Sequence, residues 1–277
     1  MAHPHGCALS GETSSMSQPP SQKNKLDAQL VSVITPVFNS ERFIEETIQC
    51  VQAQTYPHWE MLVLIDAGTR DRTAEIVERI SAADPRVKLV NVPGGRNVSD
   101  ARNHGFGIAQ GKYVAFLDAD DLWLPEKLEV QLERMRETGA ALSFTAFRRI
   151  SIDGGETGRV IQVPEELSYS DLLKVNVIAC LTAIVDQEQT GTLHMRNDIH
   201  EDYTLWLSIL RRGLRAVGVQ RDLGRYRIVA GSRSSKKALM ATWRWQVYRE
   251  HEGLSAIASA YYFAWYAVLT VAKHLRF

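Results

Sequence analysis

Three carboxylates fall within four positions at the end of a short apolar run, Tyr113-Val-Ala-Phe-Leu-Asp118-Ala-Asp120-Asp121. Acids this close repel one another unless a cation or cationic ligand shares them, and hard oxygen donors suit Mg²⁺ or Mn²⁺ holding a diphosphate. A capped, solvated strand-to-helix turn has the same composition, so the remaining segments have to decide between the two.

Four further segments could contribute chemistry. In Val33-Ile-Thr35-Pro36-Val-Phe-Asn39-Ser40 a strand ends in a proline turn whose polar groups could meet a base or ribose. In Leu64-Ile65-Asp66-Ala67-Gly68 an acid stands at a second strand end, able to accept hydrogen bonds from ribose hydroxyls or a base N–H, or simply to cap its own turn. Arg102, in Ala101-Arg102-Asn103, could pair with a strand carboxylate or with phosphate. The acids of His200-Glu201-Asp202-Tyr203 either complement a helix dipole or, facing the same cleft, offer a general base.

The elements that must position these residues alternate regularly. Apolar runs at Val31–Thr35, Met61–Ile65, Val87–Val92 and Tyr113–Leu117 are followed by helical patterns at Glu41–Gln54, Arg72–Ala82, Ser99–Gln110 and Glu126–Thr138. Repeated β-then-α units predict an α/β fold with a mostly parallel sheet covered by helices on both faces. In such sheets ligands bind outside the carboxyl ends of the strands, where the acids lie. Ser40 and Ser99 are candidate helix caps, and Pro125 precedes the fourth helix. Past the turn Asp153-Gly154-Gly155 the rhythm loosens, with strands expected at Arg159–Val163 and Ala179–Val185 and a helix at Tyr203–Arg212.

Acidic and basic residues are equal at 32 each, so overall charge does not favour nucleic acid as a partner. Cys7, Cys50 and Cys180 are scattered without C-x-x-C spacing, which argues for a reducing compartment and against zinc. Residues 1–28, rich in Ser, Pro and Gln, read as a disordered extension without the apolar core of a secretory signal, and a cytoplasmic location is expected. A domain over 29–238 and C-terminal helices over 239–277 complete the expected organisation. Within the latter, Leu254–Ala272 carries no charge and five aromatic residues. It is read as a helix in a membrane interface or packed on the domain, ahead of a true span.

The order of Val33-Ile-Thr-Pro-Val-Phe-Asn-Ser, Ile65-Asp-Ala-Gly-Thr-Arg-Asp, Ala101-Arg-Asn, Phe116-Leu-Asp-Ala-Asp-Asp-Leu-Trp-Leu-Pro and Glu201-Asp-Tyr-Thr-Leu-Trp-Leu resembles family 2 glycosyltransferases of the GT-A fold, as does Tyr226-Arg227 followed by Gly231-Ser-Arg-Ser-Ser-Lys. The likeness spans about Leu30 to Glu250 and is greatest to bacterial enzymes of teichuronic acid, capsule or exopolysaccharide assembly. It implies an inverting transfer from a nucleotide-diphosphate sugar, UDP-linked by preference, to a saccharide or lipid-linked saccharide. By the same resemblance Thr35, Pro36, Asn39 and Asp66 line the nucleotide pocket. Asp118 and Asp120 hold the diphosphate through Mn²⁺ or Mg²⁺, and Asp202 is the base. Ser234, Ser235 and Lys236 close over the diphosphate, with Arg233 assisting. One departure stands out: Ala67 occupies the place of the family's second adjacent acid, which contacts the base. A non-catalytic scaffold of a polysaccharide complex and, further off, a nucleotidyltransferase are the competing readings.

Overall fold

The computed structural model describes residues 1, 27–94, 97–197, 201–229 and 237–275. The expected alternation is present. Strands β1 (Asp27–Val37), β2 (Trp59–Asp66), β3 (Val87–Val92) and β4 (Gly111–Phe116) are interleaved with helices α1 (Ile44–Gln52), α2 (Thr73–Ala83) and α3 (Val98–Ile108). A short β5 (Leu122–Trp123), α4 (Lys127–Thr138) and β6 (Leu142–Ile150) follow. Strand β1 opens at Asp27, two residues inside the stretch expected to be disordered; positions 2–26 lie outside the described residues.

The later elements are β7 (Glu156–Ile161), β8 (Glu166–Leu167), α5 (Tyr169–Lys174), β9 (Ile184–Asp186), α6 (Gln187–Thr190), α7 (Glu201–Leu210), β10 (Ala216–Arg227), α8 (Lys237–Gln246) and α9 (Ala256–Leu275). One sheet runs β3-β2-β1-β4-β9-β6-β10-β5. Strands β3, β2, β1 and β4 pair in parallel, β9 runs antiparallel between β4 and β6, and β10 pairs with β6 in parallel. The chain steps outward from β1 to β3 and then returns to β4 on the other side of β1. That reversal opens a crevice between the loops after β1 and β4, the standard ligand position in this architecture.

Two apolar layers sandwich the sheet, with Ile34, Leu64, Phe116 and Trp206 in one and Val33, Val63, Ala115 and Leu117 in the other. Burial on both faces explains the continuous apolar runs of β2 and β4, where alternation would mark a half-exposed strand. Gly105 lets α3 lie close against β1 and β2: a Cβ there would come within 2.8 Å of Leu64 Cδ1. Gly139, at φ 66°, ends α4 in the left-handed region that glycine adopts without penalty.

Three local expectations are corrected. Phe43, not Ser40, is the N-cap of α1, and Ser40 serves through its carbonyl, which accepts the Phe43 and Ile44 N–H groups. Asn97 caps α3 with its side chain on the Asp100 N–H at 2.9 Å, while Ser99 is buried in the first turn. The apolar run from Ala179 forms a short 3₁₀ turn, Cys180–Thr182, and only Ile184–Asp186 is strand. Its apolar character reflects burial, which strand and turn share.

Candidate active site

The acidic loop after β4 is clamped from three sides. Thr47 of α1 donates its hydroxyl to the carbonyls of Ala119 and Asp121 at 2.9 and 3.1 Å. Arg227, at the end of β10, donates its backbone N–H to Asp121 Oδ1 at 2.8 Å and its Nε–H to the Asp120 carbonyl at 2.7 Å. Its Nη2 reaches Glu46 at 2.7 Å, and its guanidinium carbon lies 4.9 Å from the centroid of the Phe43 ring. Asp121 is therefore a buried structural acid, and burial together with Asp118 and Asp120 pushes its carboxyl well above the usual range.

Arg102 secures the third side. Its Nη2 donates to Asp118 Oδ1 at 2.5 Å and its Nη1 to Glu201 Oε1 at 3.3 Å, joining α3 to the end of β4 and the start of α7. Burial opposes the Arg102 charge, but negative neighbours hold its pKa above the ordinary guanidinium value. Cys180 contributes to that shift only as thiolate, a form its own burial disfavours, so the work falls to Asp118 and Glu201. Of the two partners expected for Arg102, the strand carboxylate is the one it takes. The guanidinium is 3% exposed and bonded to two carboxylates.

Asn103 adds a clamp that sequence reasoning missed. Its side-chain amide donates to the Met195 carbonyl and accepts the Met195 N–H, both at 2.7 Å. Asp100 accepts from Asn197 Nδ2 at 2.9 Å. The segment leading to α7 is thus fastened along α3. Trp206 then packs edge-on against Phe116 of β4, centroids 5.2 Å apart. These contacts bring Glu201-Asp202 beside the acidic loop across 84 residues of chain.

Asp202 differs from Glu201 in what it has left to do. Glu201 is spent on Arg102, whereas Asp202 is half-buried and accepts the Tyr203 N–H at 2.7 Å through Oδ1. Burial raises its carboxyl pKa, Arg102 and the Tyr203 amide pull it down, and Asp118 pushes it up. It sits within electrostatic range of both members of the Arg102–Asp118 pair. Cys180 lies in the same neighbourhood, feeling Arg102, Asp118, Asp202 and Glu201.

Asp120 carries the metal question. Among the described residues its carboxylate has no side-chain partner, and burial, then the Asp118 charge, push its pKa up to about 6. An acid held near like charges and left unpaired is relieved by a cation. Among the described residues no three His, Cys, Asp or Glu side chains converge as a ready-made cage. Mg²⁺ characteristically binds through one or two carboxylates together with substrate phosphates.

The loops after β1 and β2 meet at the other end of the crevice. Asn39, at φ 46°, accepts the Arg70 N–H on Oδ1 at 2.8 Å, and Asp66 Oδ1 accepts the Gly68 N–H at 2.7 Å. Asn39 is exposed and Asp66 half-buried. Thr35 is fully buried with its hydroxyl unpartnered, Pro36 is half-buried, and Phe38 is 60% exposed. Arg70 Nη1 curls onto the carbonyls of Ala67 and Thr69 at 2.7 and 2.8 Å. Ser234, Ser235 and Lys236, like Arg233 and His200, lie outside the described residues.

Sheet order and the acids at the strand ends define an α/β fold with a candidate site at its switch point, and comparison with known proteins gives the class. The glycosyl transferase family 2 model matches residues 32–200, and the chain belongs to that family. A Bacillus subtilis protein that carries the provisional name of teichuronic acid biosynthesis glycosyltransferase TuaG is 42% identical over 89% of this chain and 98% of its own length. The Escherichia coli UDP-Glc:α-D-GlcNAc-diphosphoundecaprenol β-1,3-glucosyltransferase WfgD is 31% identical over 90% of this chain and 96% of its own. Among solved structures, S. aureus TarS with UDP-GlcNAc superposes with TM-score 0.66 at 17% identity, covering 86% of this chain and 71% of that one. The Pyrobaculum calidifontis mannosyltransferase PcManGT, solved with GDP-Man and Mn²⁺, gives 0.64 at 18%, covering 88% and 75%. These last two establish the GT-A fold, and the chain is a family 2 glycosyltransferase.

Proposed function

We propose that the protein is an inverting, metal-dependent transferase that moves a sugar from a nucleotide-diphosphate donor, UDP-linked by preference, to a lipid-linked saccharide. The setting is cell-surface polysaccharide synthesis at the cytoplasmic face of the plasma membrane. The observation that carries this reading is the division of labour between adjacent acids: Glu201 is consumed by Arg102, while Asp202 stands beside Asp118 with a carboxylate oxygen to spare. Support for the acceptor comes from WfgD, named for a diphosphoundecaprenol-linked substrate.

Asp202 accepts the proton of the acceptor hydroxyl, whose oxygen attacks the anomeric carbon from the face opposite the diphosphate. The new C–O bond forms as the bond to the leaving phosphate oxygen breaks, so configuration inverts and no covalent enzyme intermediate arises. Asp120 and Asp118 would hold a divalent cation, which when bound would supply charge stabilisation to the departing diphosphate. Asn39 and Asp66 orient the nucleoside, and Thr35 and Pro36 shape the floor beneath it. Arg102 keeps Asp118 and α7 in register.

The test is Asp202→Asn, read by sugar transfer and by nucleotide-induced thermal stabilisation with Mn²⁺. Transfer should vanish while stabilisation persists. Loss of both together would remove the base assignment. Absence of transfer, donor hydrolysis and nucleotide stabilisation in the unaltered protein would favour the scaffold reading, for which Ala67 is the sequence motive.

A further inference from the structure

The side of α9 turned away from the fold presents an unbroken apolar face. Ile257, Tyr261, Trp265 and Val268 recur at helical spacing and are 86%, 53%, 41% and 59% exposed, with exposed alanines between them. At 1.5 Å per residue this stripe is about 17 Å long. Soluble surfaces rarely leave a contiguous patch of this kind uncovered. No charged residue occurs from Gly253 to Ala272, and the chain then ends Lys273-His-Leu-Arg276-Phe without an acid.

Three features choose a bilayer over other occupants. Tyr and Trp favour the headgroup layer, where an apolar ring and a polar edge are both satisfied. Lys273 and Arg276 follow this stretch in the sequence, and cations of this kind are attracted to an anionic leaflet. No described helix is long and apolar enough to cross a membrane, so a helix with one apolar face lies along it.

The opposite side of α9 is built into the enzyme. Tyr262 packs on Tyr248, whose hydroxyl donates to the Leu173 carbonyl of α5, and Phe263 packs on Trp245 of α8. Arg244 of α8 is buried between the rings of Tyr203 and Tyr266, at 4.0 and 4.8 Å from their centroids. Tyr203 adjoins Asp202. A surface that seats α9 therefore also sets the height of the start of α7.

We propose that the exposed face of α9 docks the enzyme in the headgroup layer of an anionic bilayer, holding the Asp202 end of the crevice near the membrane surface. The benefit to a lipid-linked acceptor rests on the function proposed above; the docking itself does not.

The experiment is flotation of the full chain with vesicles of phosphatidylcholine alone or mixed with phosphatidylglycerol, comparing the native protein with an Ile257→Glu, Trp265→Glu double variant. Both positions are exposed, and unchanged unfolding temperature and nucleotide stabilisation verify the fold. The native protein should float with the anionic vesicles, and the variant should bind them at least about tenfold more weakly. Equal flotation of the two proteins, or no flotation of either, overturns the proposal. So does a native dimer that the variant abolishes, since a second copy then covers the face. Flotation lost in the variant by a protein that never transfers sugar would keep the docking and remove the enzymatic reading.

Discussion

Arg102 and Asp118 meet at 2.5 Å across a steep gradient of exposure: the guanidinium side chain is 4% accessible and the carboxylate 36%. One end of the pair is anchored in the core and the other faces the crevice. The buried cation thus fixes the position of an exposed acid, and through Glu201 it fixes the helix bearing Asp202 as well.

Removing that cation should damage both stability and chemistry. Arg102→Met takes the cation away from the buried Glu201 carboxylate and from Asp118, and breaking a buried pair in this way costs on the order of 3 kcal/mol. Urea unfolding should report the loss. Arg102→Lys keeps the charge but not the fork that spans two carboxylates. It should retain most of the stability and lose most of the transfer rate, a split that a merely structural arginine would not produce.

The metal binding proposed for Asp120 should depend on pH. Its pKa of about 6 means that the carboxylate is mostly ionised at pH 7.5 and mostly protonated at pH 5. Protons then compete with the cation. Stabilisation by Mn²⁺ with a nucleoside diphosphate, followed by differential scanning fluorimetry, should be full at pH 7.5 and largely lost at pH 5. Without metal the sign reverses. A carboxyl whose pKa is raised by folding contributes most below its unfolded pKa near 4 and loses that contribution as pH rises through 6.

How far these relationships could be read from the chain depends on the range of the interaction. The first four strands and the helices between them were legible because apolar spacing is local, and Asp118, Asp120 and Asp202 because they occupy strand and helix ends. The division among the three loop acids was not, since it is decided by Arg227, 106 residues beyond Asp121. Asn103 and Met195 escaped for the same reason, being 92 positions apart. Ser40 and Ser99 were plausible caps by type, but each helix begins where the preceding loop delivers it. The run after Ala179 misled because apolar content records burial, not conformation.

Lys127 gives a test of the core that is independent of the site. It is fully buried on α4, bonded to Gln131 Oε1 at 2.6 Å, and its ammonium nitrogen lies 4.2 Å from the centroid of the Trp123 ring. Burial lowers its pKa well below the ordinary lysine value, only slightly offset by Cys50. The unfolded chain therefore holds more protons here than the native one, and stability rises with pH by up to about 1.4 kcal/mol per unit between the lowered pKa and the unfolded value near 10.4. Lys127→Met should flatten that slope in unfolding measured from pH 6 to 9. An unchanged slope would place the dependence elsewhere.

Ala67 bears on the choice of donor. The loop that holds it has Asp66 turned inward onto the Gly68 amide, and Arg70 folded back onto the Ala67 carbonyl. No carboxylate therefore stands at position 67 to accept a base N–H, and the Arg70 guanidinium lies on its carbonyl. A base whose donor lacks an acceptor binds more weakly by about 1 kcal/mol, the usual net value of a hydrogen bond. Ala67→Asp restores the acceptor at an exposed position without disturbing the core. It should tighten UDP binding about fivefold to tenfold in calorimetric titration while changing inorganic pyrophosphate little, because pyrophosphate carries no base N–H for the new carboxylate to accept. Equal gains for both ligands would mean that the residue acts through Arg70 and the loop, not through the base.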